Sequence, residues 1–366
     1  MTNRERYIDC ALGKPIDRSP FAFYFGPWRE TLIAWEEQGV KNPGTAWLEG
    51  FGFDPQVIKV AETVNQLHYP EFEPHIIERK SNTVIEMDWL GQVIERVEGK
   101  DGIPKILKSP VTCREEWETL KKERLDPHDP RRFPRDWKQQ VAAWKTIDAP
   151  VQIGLFPCGL YGTLRDLMGV EGSLYAFYDD PELVHDIMDY LTDFWIVIYE
   201  KICADIQVDI LHIWEDMSGK QGSLLSPDII REFMLPNYRK LKKFADEHGI
   251  PVLQVDTDGN CEMLIRVFHE AGINMMMPFE VTAESDIRDL RQRYPYMAMQ
   301  GGIDKQEIAK GSAAIDAELE RIRPLINKPG YFPALDHLIP PELSFQDYTY
   351  FVHRLREMIF ASASKS

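Results

Sequence analysis

Short apolar runs that end in polar or acidic residues and lead into helical patterns recur along this chain, and they constrain its fold more than any other feature. Eight can be counted: Pro20–Phe25, Pro55–Val60, Val151–Phe156, Val208–Trp214, Pro251–Val255, Ile273–Pro278, Tyr296–Met299 and Tyr331–Leu335. They are near-continuous rather than alternating, the pattern of strands buried on both faces by flanking helices. Between them lie stretches of helical period. Ser226-Pro227-Asp228 opens one with a capping serine and a proline at the first helical position, and the pattern runs to Phe244 before Gly249 stops it. Asp180-Pro181-Glu182 opens another, with Val184, Ile187, Met188, Leu191 and Trp195 on its apolar side. Alternating strand and helix gives a parallel sheet, and eight repeats predict one α/β domain over residues 1–366, a (β/α)8 TIM barrel. The rhythm breaks after the second strand, in an insertion from about 62 to 150 with hairpin and helical character. There Thr83–Met87 and Gln92–Val97 flank Asp88-Trp89-Leu90-Gly91 and predict a β-hairpin over one end of the barrel.

Charge excludes some classes of function. Forty-two Lys+Arg against 59 Asp+Glu leaves −17, the wrong sign for a surface that tracks a nucleic-acid backbone. The five cysteines are widely spaced without a Cys-x-x-Cys pair, which fits a reducing cytoplasm better than a disulfide framework. The N-terminus is polar, and the longest apolar run, Phe194 to Tyr199, is far too short to span a bilayer, so the reading is a cytoplasmic protein without membrane contact. Dinucleotide, P-loop, zincin and α/β-hydrolase signatures are absent from the sequence.

In such a barrel the active site lies at the C-terminal ends of the strands, and here those ends are acidic. The fourth run ends in Glu215-Asp216, the fifth leads to Asp256-Thr257-Asp258-Gly259-Asn260, the sixth to Glu280, the seventh to Asp304, and the eighth to Asp336-His337. Carboxylates converging on one mouth raise one another's pKa unless a cation, a basic substrate or hydrogen bonds compensate. Each also has a plain structural reading. Asp258-Gly259-Asn260 reads equally as a turn, Glu215-Asp216 as a cap, His337 as a core histidine, and Trp28, Trp89, Trp214 and Tyr161 as packing.

The stretches Arg4–Gly13 with Lys14-Pro15-Ile16-Asp17-Arg18-Ser19-Pro20, Trp214-Glu215-Asp216-Met217 with Leu225-Ser226-Pro227-Asp228 and Phe233-Met234-Leu235-Pro236-Asn237-Tyr238, Gly301-Gly302-Ile303-Asp304-Lys305, and Gly330 through His337 resemble the uroporphyrinogen decarboxylase superfamily along nearly the whole chain. The resemblance implies a (β/α)8 barrel and either a decarboxylase or a zinc-dependent methyltransferase working with a corrinoid. Of the arginine-rich element of the decarboxylases only Arg29 is matched, within Phe25-Gly26-Pro27-Trp28-Arg29. Their pyrrole-binding aspartate falls near Ile58-Lys59-Val60, where there is no acid, and their tyrosine falls on Leu167, while His337 is retained. The chain is closer to the methyltransferase branch. The zinc ligands of that branch fall on Asp256-Thr257-Asp258, on Glu280 and near Asp336-His337, which replaces sulfur by oxygen and one imidazole and suits a harder or borderline divalent ion.

The expected activity is therefore methyl transfer, or demethylation, from a small methoxylated or N-methylated compound to a corrinoid protein. Glu215, Asp216, Asp258 and His337 are its candidate catalytic residues, and Asp256, Asp258, Glu280 and His337 its candidate ligands for a divalent metal such as zinc. Trp28, Arg29, Tyr161, Trp214 and Asn260 are candidate substrate contacts, the aromatics walling an aromatic or cationic group. The insertion is where a second copy would pair as a homodimer. The alternatives are a decarboxylase or lyase on another small carboxylated substrate, using His337 and Arg29, and a non-catalytic ligand-binding barrel.

Overall fold

A computed structural model describes residues 1–99, 102, 104–283 and 286–363. Seven of the eight runs become strands of one parallel sheet: β1 (Ile58–Lys59), β6 (Val151–Ile153), β7 (Ile210–Trp214), β10 (Val252–Asp256), β11 (Met275–Phe279), β12 (Ala298–Ile303) and β13 (Tyr331–Leu335), in that spatial order. Sequential order and parallel pairing follow from the helical crossovers between them.

The first run, Pro20–Phe25, departs from expectation and forms no strand. Pro20 and Pro27 bracket it without N–H groups, and the amide and carbonyl of Phe21 are both taken by Asp54, through its carboxylate and its N–H, each at 2.9 Å. The segment instead lies extended and reaches the sheet by a single parallel bridge, Pro27 to Ile339, just past β13. Its Tyr24 crosses the interior to stack on the His212 ring of β7 at 5.4 Å. The sheet is thus curled into an incomplete barrel with a seam beside β1.

The insertion holds four strands where a two-stranded hairpin was expected: β2 (His75–Arg79), β3 (Thr83–Met87), β4 (Val93–Val97) and β5 (Lys105–Lys108), antiparallel in that order. The expected pair is its centre, in register Thr83 with Val97 and Met87 with Val93. The outer two were hidden because β2 is exposed along its whole length and carries no buried alternation. The β3–β4 turn is tied down by Gln92, whose Nε2 donates to the Asp166 carbonyl at 2.7 Å on the helix Leu160–Met168. A short ribbon, β8 (Ser218–Gly219) with β9 (Gly222–Ser223), follows β7.

The helix Pro181–Cys203 forms as read, with Asp180 accepting from the Leu183 N–H and Val184, Ile187, Met188, Leu191 and Trp195 all buried. At the N-terminal end of the sheet the helix Asn3–Ala11 packs Tyr7, Cys10 and Ala11 onto Ile210, Val252, Met275, Ala298 and Phe332. That end is plugged by apolar side chains, which leaves the C-terminal ends of the strands as the mouth. All five cysteines are free. No helix among the described residues is long and apolar enough to cross a membrane.

Candidate active site

The wall of the mouth is built by close backbone approach. A Cβ on Gly159 would lie 1.6 Å from the Trp214 carbonyl, so only glycine lets the N-terminus of the helix Leu160–Met168 sit against the end of β7. Glu215 fills that helix N-terminus. Its carboxylate accepts from the N–H groups of Leu160 (2.9 Å), Tyr161 (2.7 Å) and Gly162 (3.2 Å) and from the Tyr238 hydroxyl (2.7 Å). The side chain is fully buried, and burial pushes its carboxyl up to about 7 against the pull of those donors. Its acceptor capacity is spent on the helix end, which places Glu215 as a cap away from the mouth. Tyr161 likewise lies in the core, stacked on Phe177 at 6.4 Å, and does not face the mouth as expected.

The next residue turns the other way. Asp216 has φ +39°, a left-handed conformation unusual for aspartate, and it directs its carboxylate to the Arg165 guanidinium at 2.7 Å. At the centre is Asp256, last residue of β10, with 7% of its surface exposed. Burial holds its carboxyl well above the usual range, and the charges of Asp258 and Asp216 push it further. Its nearest basic neighbour is His212 Nε2 at 3.8 Å, but burial drops that imidazole to about 4, so it is neutral and cannot stabilise a carboxylate. His212 Nδ1 is fixed by Gln254 Oε1 at 3.0 Å.

Two further groups complete the rim. His337 Nε2 lies 3.4 Å from Asp258 Oδ1. Burial lowers the pKa of this imidazole, but the hydrogen bond and charge of Asp258, with the charge of Glu280, outweigh it and leave it raised. Glu280 accepts from the Gly259 N–H at 3.0 Å and faces Lys305 Nζ at 3.4 Å, while Lys305 also reaches Asp336 at 3.2 Å. The Asp258-Gly259-Asn260 turn needs its glycine, since a Cβ at φ +70° would meet the Gly219 carbonyl at 2.6 Å.

This arrangement does not fit the expected metal centre. Among the described residues no three His, Cys, Asp or Glu side chains are gathered as a metal-binding cluster. Two of the four expected ligands, Asp258 and His337, pair with each other, Glu280 is held by Lys305 and a backbone amide, and Asp256 is buried beside neutral His212.

Of the expected substrate contacts, Trp214 meets Phe156 edge-on at 4.5 Å and carries the Arg165 guanidinium over its ring at 5.1 Å. Trp28 approaches the His337 ring at 6.5 Å, with Phe25 closer at 4.9 Å. Arg29, itself exposed, begins the helix Arg29–Glu37 beside Trp28. Asn260 is set apart, its Oδ1 accepting from the Glu262 N–H at 3.3 Å as a turn residue. Arg165, Lys305 and His212 were missed. Lys305 sits inside the Gly301–Lys305 motif, so its charge was readable, whereas His212 in mid-strand gave no signal.

The family model for uroporphyrinogen decarboxylase matches residues 2–358. A uroporphyrinogen decarboxylase of Syntrophotalea carbinolica is 28% identical over 184 residues, 49% of this chain and 51% of that protein. A methylated-thiol–coenzyme M methyltransferase of Methanosarcina mazei is 36% identical over 77 residues, 21% of this chain and 20% of that protein. The chain therefore aligns with about half the length of the first relative and a fifth of the second. A solved methyltransferase from Methanosarcina mazei shares the fold, with a TM-score of 0.53 at 13% identity over 100% of this chain and 99% of that one. With the family model matched from end to end, the chain belongs to the uroporphyrinogen decarboxylase family.

Proposed function

We propose that the protein is a methyl-transfer enzyme that removes a methyl group from a small methoxylated or N-methylated compound by protonating its leaving atom, and delivers the methyl to a corrinoid carried by a partner protein. The observation that carries this reading is Asp256, a carboxyl at the base of an acidic mouth whose pKa burial and the charges of Asp258 and Asp216 raise well above the usual range. A carboxylic acid in that state is suited to general-acid work. As the methyl–oxygen or methyl–nitrogen bond breaks, the Asp256 proton passes to the leaving atom and Asp256 becomes a carboxylate. The neighbouring charges of Asp216 and Asp258 favour recapture of a proton, and the His337–Asp258 pair stands near enough to hold one. Phe25, Trp28 and Trp214 supply apolar and π surface for an aromatic or cationic donor.

The corrinoid supplies a strongly nucleophilic cobalt when it is docked. The rim suits a broad, flat, largely apolar partner group, with Trp28 and Trp89 37% exposed and Phe156 46% exposed around the opening. A zinc-activated thiol acceptor receives no support from a donor set of carboxylates and one imidazole. The mouth disfavours polycarboxylate substrates, because Asp216, Asp256, Asp258 and Glu280 gather there and Arg165, Lys305 and His337 are each already paired with one of these acids.

The test is incubation of the protein with cob(I)alamin and panels of methoxylated aromatics and N-methylated amines, following loss of the cob(I)alamin absorbance together with demethylated product. Turnover of at least one donor class supports the reading. Release of CO₂ from carboxylated analogues, with no corrinoid needed and no methyl transfer, replaces it with the decarboxylase reading.

A further inference from the structure

The seam left by the unpaired first run is not solid. Beside β1, between it and the extended segment 21–26, lies a cavity of about 310 Å³, in the range of small-molecule pockets. Trp47 and Gln56 stand on its lining, and Lys59, Tyr24, Glu62 and Gln300 carry its polar chemistry.

Two observations point to a ligand. Lys59 is the cation of the cavity, its ammonium 4.0 Å from the centroid of the Tyr24 ring and without an ion-pair partner among the described residues. Burial lowers its pKa, partly offset by the charges of Glu62 and Asp256, so an anion placed directly beside it would add a contact that neither of those charges makes at ion-pair distance. On the same lining Gln300 is only 4% exposed, and its Oε1 has no hydrogen-bond partner. A buried amide oxygen left unpaired is costly, and a ligand N–H or O–H would satisfy it.

We propose that this seam cavity binds a small organic anion that carries a hydrogen-bond donor, an α-hydroxy or α-amino carboxylate, with its carboxylate on Lys59 and its O–H or N–H on Gln300. The pairing is complementary: the cation reads the anionic end, the orphan acceptor reads the donor, and the Tyr24 ring covers the carbon skeleton. Glu62 on the same lining adds a second acceptor and favours an amino over a purely anionic partner. The proposal is tested apart from methyl transfer because it is read by equilibrium binding alone.

The experiment uses the whole chain with lactate, alanine and, as the donor-lacking control, propionate, measured by calorimetry. Saturable binding of lactate or alanine at about tenfold or greater preference over propionate is expected. Lys59→Met should lose at least about tenfold in affinity and Gln300→Leu should remove the preference, as expected for a charge-assisted and a neutral hydrogen bond. A measurement on the unaltered protein stands beside the variants: acylation of Lys59, followed by peptide mass spectrometry, should slow at least about fivefold when lactate or alanine saturates the site, since a bound carboxylate covers the amine. Absence of saturable binding of all three probes, an unchanged affinity in a folded Lys59→Met variant, or Lys59 acylation indifferent to lactate and alanine would each overturn the proposal.

Discussion

Asp166 offers a prediction whose size and sign both come from the structure. It sits on the helix Leu160–Met168 beneath the β3–β4 turn, its carbonyl bonded by Gln92 and its Oδ2 without a partner. Burial raises its carboxyl from 3.8 to about 7, with Asp216 and Asp88 adding and Arg165 opposing. The native state therefore holds a proton that the unfolded chain has already released, and stability is lost as pH rises through the window between the two values. At about 1.4 kcal/mol per unit, the three-unit difference is worth about 4 kcal/mol at most, and about 2–4 kcal/mol once partial solvent contact is allowed for. Asp166→Asn, a neutral isostere, should equal the parent near pH 4, gain steadily from pH 4 to 7, and stay about 2–4 kcal/mol more stable at pH 8. Urea unfolding of both proteins at pH 4.5, 6, 7 and 8 measures this, the titrations common to both cancelling in the difference. A gain that is absent at pH 8, or equally large at pH 4.5, would refute the reasoning.

The remaining predictions concern support and charge around the mouth. Glu215→Ala strands three backbone N–H groups and the Tyr238 hydroxyl in the interior, and should cost about 3–5 kcal/mol in chemical unfolding. Arg132, buried and donating to the carbonyls of Asp126, Leu67 and Arg124 and to Asn65 Oδ1, ties the insertion together, so Arg132→Met should cost about 3 kcal/mol or more by the same assay. Asp258→Asn removes the main stabiliser of protonated His337 and leaves burial to act, so the His337 pKa should fall, as read by NMR titration of its ring protons. The stability that the charged histidine contributes to the parent at low pH should then shrink or disappear in the variant.

Much of the frame was legible because a strand buried on both faces must be apolar throughout, and seven such runs gave strands at or next to the expected positions. The first run, Pro20–Phe25, misled because Phe21 and Phe23 are apolar for a different reason: they pack on Phe53 and Phe351 while the Phe21 backbone bonds to Asp54. The convergence of Asp216, Asp256, Asp258, Glu280 and His337 was also readable, since strand ends in a barrel share one face. What the acids do was not. Glu215 and Asp216 are adjacent, yet one caps a helix and the other meets Arg165, a split set by the left-handed turn at Asp216. The pairing of Lys305 with Glu280 and of His337 with Asp258 was equally illegible, because contacts between side chains from different strands leave no trace in spacing.

The central claim is that Asp256 delivers the proton in methyl transfer, and the most direct test is the single-turnover rate of Asp256→Asn against the parent, with the best methyl donor and cob(I)alamin, across pH 5–9. Loss of a positioned general acid should slow the chemical step by about 10²–10⁴-fold. In the parent the rate should fall at high pH as Asp256 ionises, and in the variant that limb should vanish while donor binding and folding persist. A variant that transfers methyl groups at the parental rate, or that keeps the parental high-pH limb, would contradict the account.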